Sequence, residues 1–407
     1  MTKKFKIAHL SDRDISGGSS YYSYRTHKNI LKYKNYLSKM FVLHKVSKEK
    51  NIETLKFKRN NFLVNKLEFF LLNEKNKYSY YNKGRYVINN LKQVDKLLRF
   101  KPDLIIIYNN SNFINPELIY KIQNLYKTKF MFYLMDMEPL TGGCHYNFTC
   151  NGYQIKCNKC PAVKSVISEL PKNNLKLKKK FISKSQITFI SPNNKTFKDV
   201  YKSSIFNKKF HRNLLIYLGL DLNIYKPQKK KNKKLVFAFR SSLNPRKGQI
   251  YIIKSLQHIF ENYPEHINMI KLNVVGDSSI RNFLDEKGFN YTFKPSIKNE
   301  KGLVNFYCSS DFFINSSTQD LGPFMVNEAL ACGVPVISFN EGVALDLVKN
   351  DHNGFLINDF SSIKLAKSII NILQMKRDKI NKLKKNSRKT AKTFLDFQYQ
   401  IKKILSW

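Results

Sequence analysis

The chain has 407 residues, 42% hydrophobic and 14% aromatic, with a formal net charge of +43. That is long enough for two or three globular domains with sizeable cores, and six cysteines in such a length exclude a disulfide scaffold. No run approaches the roughly 20 apolar residues of a membrane span, and the opening Met1-Thr-Lys-Lys-Phe-Lys-Ile-Ala-His-Leu-Ser breaks too soon for a signal-peptide core, so a cytoplasmic location is expected.

Taken from the start, Lys6 to Ser11 is a predicted buried strand, a loop carries Gly17 and Gly18, and Ser19 to Leu37 is a predicted helix. Strand-length apolar runs recur at Met40 to Val46, Asp103 to Tyr108, Phe130 to Asp136 and Ile187 to Ser191, with helical patterns at Gly84 to Phe100 and Pro116 to Tyr126. The stretch from Ser47 to Lys83 has no clean period and reads as an excursion, whose Leu67-Glu-Phe-Phe-Leu-Leu72 run either touches a membrane or caps the core. After Asn213 to Gly219 a basic linker, Asp221 to Lys234, leads into a second alternating series. Its predicted strands are Leu235 to Arg240, Lys271 to Gly276, Tyr291 to Pro295, Asp311 to Ile314 and Val334 to Phe339. Helices are predicted at Gly248 to Asn262, Ser279 to Lys287, Lys301 to Cys308, Pro323 to Cys332 and Ala344 to Asn350, and Ser361 to Trp407 is helical and basic. Alternation of this kind predicts α/β architecture with parallel sheets. The expected layout is two facing Rossmann-like domains, one over 1–215 with its excursion at 47–83 and a Cys-rich loop at 141–161, the other over 216–385. Ligands in such sheets bind beyond the strand carboxyl ends, so a cleft between the domains would hold one substrate on each wall.

The charge attracts anionic partners of any kind, whether nucleic acid, acidic lipid headgroups or phosphorylated substrates. Composition weakens it as a signal, because 61 Lys against 11 Arg, among abundant Asn, Ile, Tyr and Phe, is what low-GC coding produces. The runs Lys176 to Lys180 and Lys229 to Lys234 read as solvated linker, with an anionic membrane surface as the alternative partner.

The densest motif is Ser316-Ser-Thr-Gln-Asp320-Leu-Gly-Pro323-Phe-Met-Val-Asn-Glu328-Ala-Leu-Ala-Cys-Gly333-Val-Pro-Val-Ile-Ser-Phe339. Two carboxylates separated by seven residues bracket a helix entry, Asp320 before its amide-rich N-terminus and Glu328 about one and a half turns in. This segment resembles the retaining glycosyltransferases of family 4, where an acidic residue, seven spacers and a Glu precede Ala-(Leu/Met)-Ala-Cys-Gly-x-Pro-Val. The resemblance implies the GT-B fold, with 386–407 a helix returning to the first domain. It implies that Glu328 holds the donor ribose and that Asp320, with the Leu321-Gly322-Pro323 backbone, faces the transferred sugar. Many members carry Glu where this chain has Asp320.

Three further segments fit that reading. Phe237-Ala-Phe-Arg240-Ser-Ser-Leu-Asn-Pro-Arg246-Lys247-Gly248 runs from a strand to a helix and places three cations where a phosphate would sit. Breaking the bond from an anomeric carbon to a phosphate oxygen puts negative charge on the departing diphosphate, which fixed cations stabilise. The resemblance implies Arg240 and Lys247 for this task, with Arg246 a competitor. Ile7-Ala-His9-Leu-Ser11-Asp-Arg-Asp14-Ile-Ser-Gly17-Gly18 puts a Gly pair after the first strand, where backbone can approach a substrate. It lacks the G-x-G-x-x-G fingerprint of nicotinamide or flavin sites. Phe132-Tyr-Leu-Met135-Asp136-Met-Glu138-Pro-Leu-Thr141-Gly142-Gly143-Cys144-His145-Tyr146 resembles a family-4 subgroup that builds bacterial surface polysaccharides. Relatives often have His-Asp where this chain has Met135-Asp136. Either Asp136 alone polarises the acceptor hydroxyl, or His145 supplies the imidazole, or the leaving phosphate oxygen takes the proton.

Cys144, Cys150, Cys157 and Cys160, ending in Cys-Asn-Lys-Cys-Pro, leave three readings open. Four thiolates could hold a structural zinc, stay reduced and packed in the loop, or pair as disulfides. Cys308 and Cys332 read as core residues. No cofactor is expected in catalysis.

The function expected is transfer of a sugar from a nucleoside diphosphate sugar to a glycan or lipid-linked acceptor in surface polysaccharide synthesis, by a cytoplasmic protein peripheral to the inner face of the membrane. Two other classes stay open. One is a basic nucleic-acid-binding protein, although no recognition module is visible and no specific nucleic acid is expected. The other is a non-catalytic GT-B relative, which Met135 and Asp320 would suit.

Overall fold

The computed structural model describes residues 4–15, 17–57, 78–108, 111–228, 234–297 and 299–406. The Leu67 to Leu72 run and residues 229–233 of the second Lys run lie outside them. By its contacts the chain divides into two units, Met1–Ile216 and Tyr217–Trp407.

In the first unit the strands are β1 Phe5–Arg13, β2 Tyr36–His44, β3 Ile52–Thr54, β4 Leu104–Ile107, β5 Lys129–Tyr133, β6 Ile187–Ser191 and β7 His211–Leu215. They form one parallel sheet in the order β3-β2-β1-β4-β5-β6-β7. Its centre is continuous hydrocarbon: all of Leu104 to Ile107 is buried, as expected when helices cover both faces. The helices are α1 Gly18–Ile30, α2 Asp95–Phe100, α3 Pro116–Tyr126, α4 Glu169–Phe181 and α5 Asn194–Lys202.

The second unit repeats the scheme. Strands β8 Val236–Ser241, β9 Lys271–Gly276, β10 Asn290–Lys294, β11 Phe312–Asn315, β12 Val336–Phe339 and β13 Gly354–Ile357 pair in parallel as β10-β9-β8-β11-β12-β13. Around them lie α6 Gln249–Asn262, α7 Arg281–Glu286, α8 Glu300–Cys308, α9 Phe324–Ala331, α10 Val343–Leu347, α11 Ser362–Leu373, α12 Arg377–Phe394 and α13 Phe397–Leu405. Phe237, Phe239, Leu272, Val274, Phe312 and Ile337 join α6 and α11 residues in one core, and α9 packs in a second on the other face. The last helix is held by Leu220, whose amide donates to Leu395 O and whose carbonyl accepts from Phe397 N.

Several sequence expectations are corrected. The first helix ends at Ile30, not Leu37, because Tyr36 and Leu37 enter β2 opposite Phe5 and Lys6. Gly84 to Phe100 is not one helix. Val87 and Ile88 bond the backbone of Asn112 and Phe113, and Asn90 then caps a short turn that leads into α2. The excursion returns an edge strand, β3, to the sheet. The run Lys176 to Lys180 is not linker: it lies in α4, where Pro171, Asn174, Leu175 and Lys178 form the buried stripe.

Candidate functional site

The cations of the second unit gather beyond the carboxyl end of β8. Arg240 is exposed near the strand end, and a single turn, Pro245–Lys247, follows with Asn244 Oδ1 accepting from Arg246 N. Arg246 Nη1 reaches Asp320 Oδ2 at 3.1 Å, and Lys247 Nζ donates to the same oxygen. Burial alone would raise the Asp320 pKa, but Lys247 and Arg246 outweigh it and hold the carboxyl below its ordinary range. Burial leads in lowering Lys247; Asp320 opposes it, and the neighbouring charges of Arg246 and Arg240 add to it. Three cations against one carboxylate leave this cluster doubly positive, which suits a diphosphate whose charge grows as it departs.

Two glycines fix the loop that carries Asp320. Gly248 has φ +69°, and a Cβ there would sit 1.9 Å from Ser316 O. At Gly342, φ +59°, a Cβ would sit 2.3 Å from Asp320 O. Only an absent side chain permits either approach. Through it Thr318 N reaches Arg246 O at 2.8 Å and Ser316 Oγ reaches Lys247 O at 2.8 Å. Leu321, Gly322 and Pro323 complete the loop into α9, which begins with no side-chain cap.

Glu328 points into the protein, 5% exposed. Tyr225 OH donates to Oε1 at 3.3 Å and Tyr307 OH to Oε2 at 2.9 Å. The two tyrosines orient the carboxylate from opposite oxygens. Neither was visible as a partner in sequence, since they lie 103 and 21 positions away.

In the first unit, Gly17 (φ +84°) and Gly18 open α1, which has no capping side chain, and a Cβ on either would meet nothing within 4 Å. Asp14 braces the loop, accepting from the amides of Ile15, Val46 and Ser47 at 2.8–3.0 Å. Beyond β5, Asp136 Oδ2 meets His145 Nδ1 at 2.8 Å, and Asp136 Oδ1 accepts from Glu138 N at 2.9 Å. Tyr81 packs edge-on against the imidazole. His145 Nε2 is buried without a hydrogen-bond partner among the described residues. Burial disfavours the imidazolium, yet Asp136 outweighs it and raises the His145 pKa. A carboxylate on one ring nitrogen and a free second nitrogen make a base that can take a proton from a hydroxyl.

Beneath this pair lies an ion pair the sequence reading missed. Lys178 Nζ reaches Glu138 Oε1 and Glu138 O, both at 2.6 Å, and Thr141 O at 3.0 Å, with both side chains 1% exposed. Asn82 Nδ2 donates to Glu138 Oε1 at 2.7 Å. The signal available was position: Lys178 continues the apolar stripe of α4 at seven residues from Pro171.

Cys144, Cys150, Cys157 and Cys160 are free and pack with Tyr78, Tyr80 and Val163. Burial raises the thiols of Cys144, Cys157 and Cys160. Among the described residues no group of three or more His, Cys, Asp or Glu side chains is arranged to hold a metal ion, so the zinc expectation gains no support from this geometry. Nor is any described helix long and apolar enough to cross a membrane.

Comparison with known proteins accords with this geometry. Residues 222–390 match the family model described as glycosyl transferases group 1. The chain is 26% identical to spore coat protein SA of Bacillus subtilis over 215 residues, 47% of this chain and 57% of that protein. It is 28% identical over 186 residues to the UDP-Gal:alpha-D-GlcNAc-diphosphoundecaprenol alpha-1,3-galactosyltransferase of Escherichia coli, 43% of this chain and 45% of that one. The chain thus spans about half the length of these curated relatives. The solved structure of Anabaena HepE in complex with UDP-glucose superposes with a TM-score of 0.65 at 16% identity, covering 98% of each chain. The fold is therefore GT-B, built from two Rossmann-like parallel-sheet units.

Proposed function

We propose that this chain is a retaining glycosyltransferase that moves a sugar from a nucleoside diphosphate sugar to a glycan or lipid-linked acceptor in surface polysaccharide synthesis. The observation that carries the proposal is the doubly positive cluster of Arg240, Arg246 and Lys247 about Asp320 on a loop pinned by Gly248 and Gly342. The group 1 match over this unit supports it, as do a relative named for a diphosphoundecaprenol-linked acceptor and a fold neighbour solved with UDP-glucose.

In this reading Glu328, held by Tyr225 and Tyr307, accepts the ribose hydroxyls. Asp320 and the backbone of Leu321 to Pro323 face the sugar. As the bond from the anomeric carbon to the phosphate oxygen breaks, Arg240, Arg246 and Lys247 stabilise the diphosphate. Gly17 and Gly18, where a Cβ would meet nothing within 4 Å, let phosphate or acceptor approach the backbone. His145, oriented by Asp136, takes the proton of the acceptor hydroxyl, which answers the absence of a His at Met135. The basic face of α12 suits a peripheral position on an anionic membrane, where each nearby Lys or Arg contributes about 1 kcal/mol.

The test is thermal stabilisation by a panel of nucleoside diphosphates and their sugars, with wild type beside Glu328→Ala and Lys247→Ala. A ligand at about 100 times its Kd stabilises by about 2.7 kcal/mol, well within reach of the assay. A selective shift that both substitutions remove establishes the donor site. No shift from any nucleotide, with salt-steep oligonucleotide binding instead, would favour the polyanion-binding alternative; donor binding without turnover would favour a non-catalytic relative.

A further inference from the structure

A cavity of about 320 Å³ opens in the second unit, lined among others by Pro227, Cys308, Cys332, Val334, Lys385 and Arg388. It lies at the amino ends of the strands: Cys308 ends α8 shortly before β11, and Cys332 caps α9 before β12 begins. The Asp320 loop follows β11 at the opposite edge of the same sheet, so this cavity is separate from the donor cluster.

Its walls are braced by specific contacts. Gly333 has φ +71°, and a Cβ there would sit 3.0 Å from Pro227 Cγ and 3.4 Å from Lys384 O, so the bare glycine lets the segment at Pro227 and α12 come together beside the hollow. Cys308 Sγ donates to Lys226 O at 3.4 Å, which ties that segment to the end of α8. Arg388, on α12, donates to the carbonyls of Tyr225, Ala331 and Leu222 at 2.5, 2.6 and 2.8 Å, joining the same segment to the end of α9.

The lining combines apolar walls with positive charge. Cys308, Cys332 and Val334 are buried, and Pro227 lies beside them. Of the nearby cations, Lys384 is matched by Asp311 at 2.6 Å, a carboxylate that Arg377 also approaches at 3.7 Å. Among the described residues no carboxylate forms an ion pair with Arg388 or Lys385: carbonyls answer the first, and the second is exposed. Protein interiors leave few voids larger than a water molecule, and cavities from about 300 Å³ upwards are of the size that takes small ligands. Two cations beside an apolar hollow supply a field for an anionic group and a dry wall for the body that carries it.

We propose that this cavity binds a small organic anion, a single carboxylate, sulfonate or phosphate group on an apolar body. The body lies against Pro227, Val334 and the two thiols, and the anionic group meets Lys385 and Arg388 in charge-assisted hydrogen bonds.

The experiment is calorimetric titration of the full chain with 1-naphthoate, with neutral 1-naphthamide and with inorganic phosphate. Naphthoate should bind at one site per chain, with the amide and phosphate each at least about tenfold weaker, since one lacks the charge and the other the apolar body. Lys385→Glu, a change at an exposed position, should weaken naphthoate several-fold, whereas Lys389→Glu, on the same helix but outside the lining, should leave it unchanged. Cys308→Phe, which fills the hollow, should abolish binding; should that variant fail to fold, the two charge reversals still decide. Equal binding of naphthoate and phosphate, equal effects of Lys385→Glu and Lys389→Glu, displacement of naphthoate by UDP, or no binding of naphthoate at millimolar concentration would overturn the proposal. None of these readings depends on glycosyl transfer.

Discussion

Lys178 and Glu138 form an ion pair at 2.6 Å that is shut away from solvent, each side chain 1% exposed. It joins α4 to the turn between Asp136 and His145, because the same ammonium also holds the carbonyls of Glu138 and Thr141. Removing one partner strands a buried charge, a cost of about 3–5 kcal/mol, whereas replacing both with apolar groups of similar volume is far milder. Lys178→Met should therefore lower the urea midpoint of the first unit sharply, and Lys178→Met with Glu138→Leu should recover much of the loss. Equal destabilisation by the single and double variants would show that the pair acts only through packing.

Acid should loosen the first unit through two buried histidines. His27 Nδ1 bonds Ser38 Oγ at 2.7 Å and His9 Nδ1 bonds Tyr108 OH at 3.0 Å, and the rings stack edge to face. Burial, with Lys28 adding and Glu49 opposing, lowers His27 from 6.5 to about 4; burial and the His27 charge lower His9. Below pH 6.5 the unfolded chain binds a proton that the folded site refuses, so stability present above 6.5 is lost as pH falls towards 4. For His27 this is about 3 kcal/mol. The pH dependence of the melting temperature between 6.5 and 4 should be flatter in His27→Gln than in wild type; parallel curves would rule the histidine out.

The donor loop should fail without its glycine. Gly248→Ala forces a Cβ towards Ser316 O from a left-handed backbone, which strains the turn by roughly 1–3 kcal/mol and pushes the Ser316 to Pro323 loop away from Arg246 and Lys247. Stabilisation by nucleoside diphosphate should vanish while the remaining melting temperature falls only modestly. Gly288, at φ +67° with nothing within 4 Å of a Cβ, provides the control: Gly288→Ala carries backbone strain without a collision and should keep nucleotide binding.

Much of the fold was legible because the β period and the helix period alternate cleanly in the second unit, and Pro116–Tyr126 and Ile187–Ser191 are the elements their sequences announce. What failed were boundaries set by distant partners. Tyr36 and Leu37 read as helix until β1 claims them, and β13 escaped because Gly354-Phe-Leu-Ile357 is too short to stand out before it pairs with β12. The same holds at the site. Asp320, Lys247 and Glu328 were visible in local motifs, whereas Tyr225, Tyr307, Asn82 and Lys178 become partners only through folding.

The Asp136–His145 pair makes the sharpest prediction about chemistry. His145 must be neutral to accept a proton, and Asp136 raises its pKa against the opposing effect of burial. Activity should therefore fall as pH drops through that raised value. Asp136→Asn removes the charge that favours the imidazolium, so the acid limb of the profile should move to lower pH even as the rate falls from lost orientation. His145→Gln should remove the limb and cost about 10²–10⁴ in kcat, the usual worth of a positioned base. If transfer instead returned the proton to the leaving phosphate oxygen, His145→Gln would change the acceptor KM and leave both kcat and the acid limb in place. Measuring kcat and KM against pH for the three proteins separates the two routes.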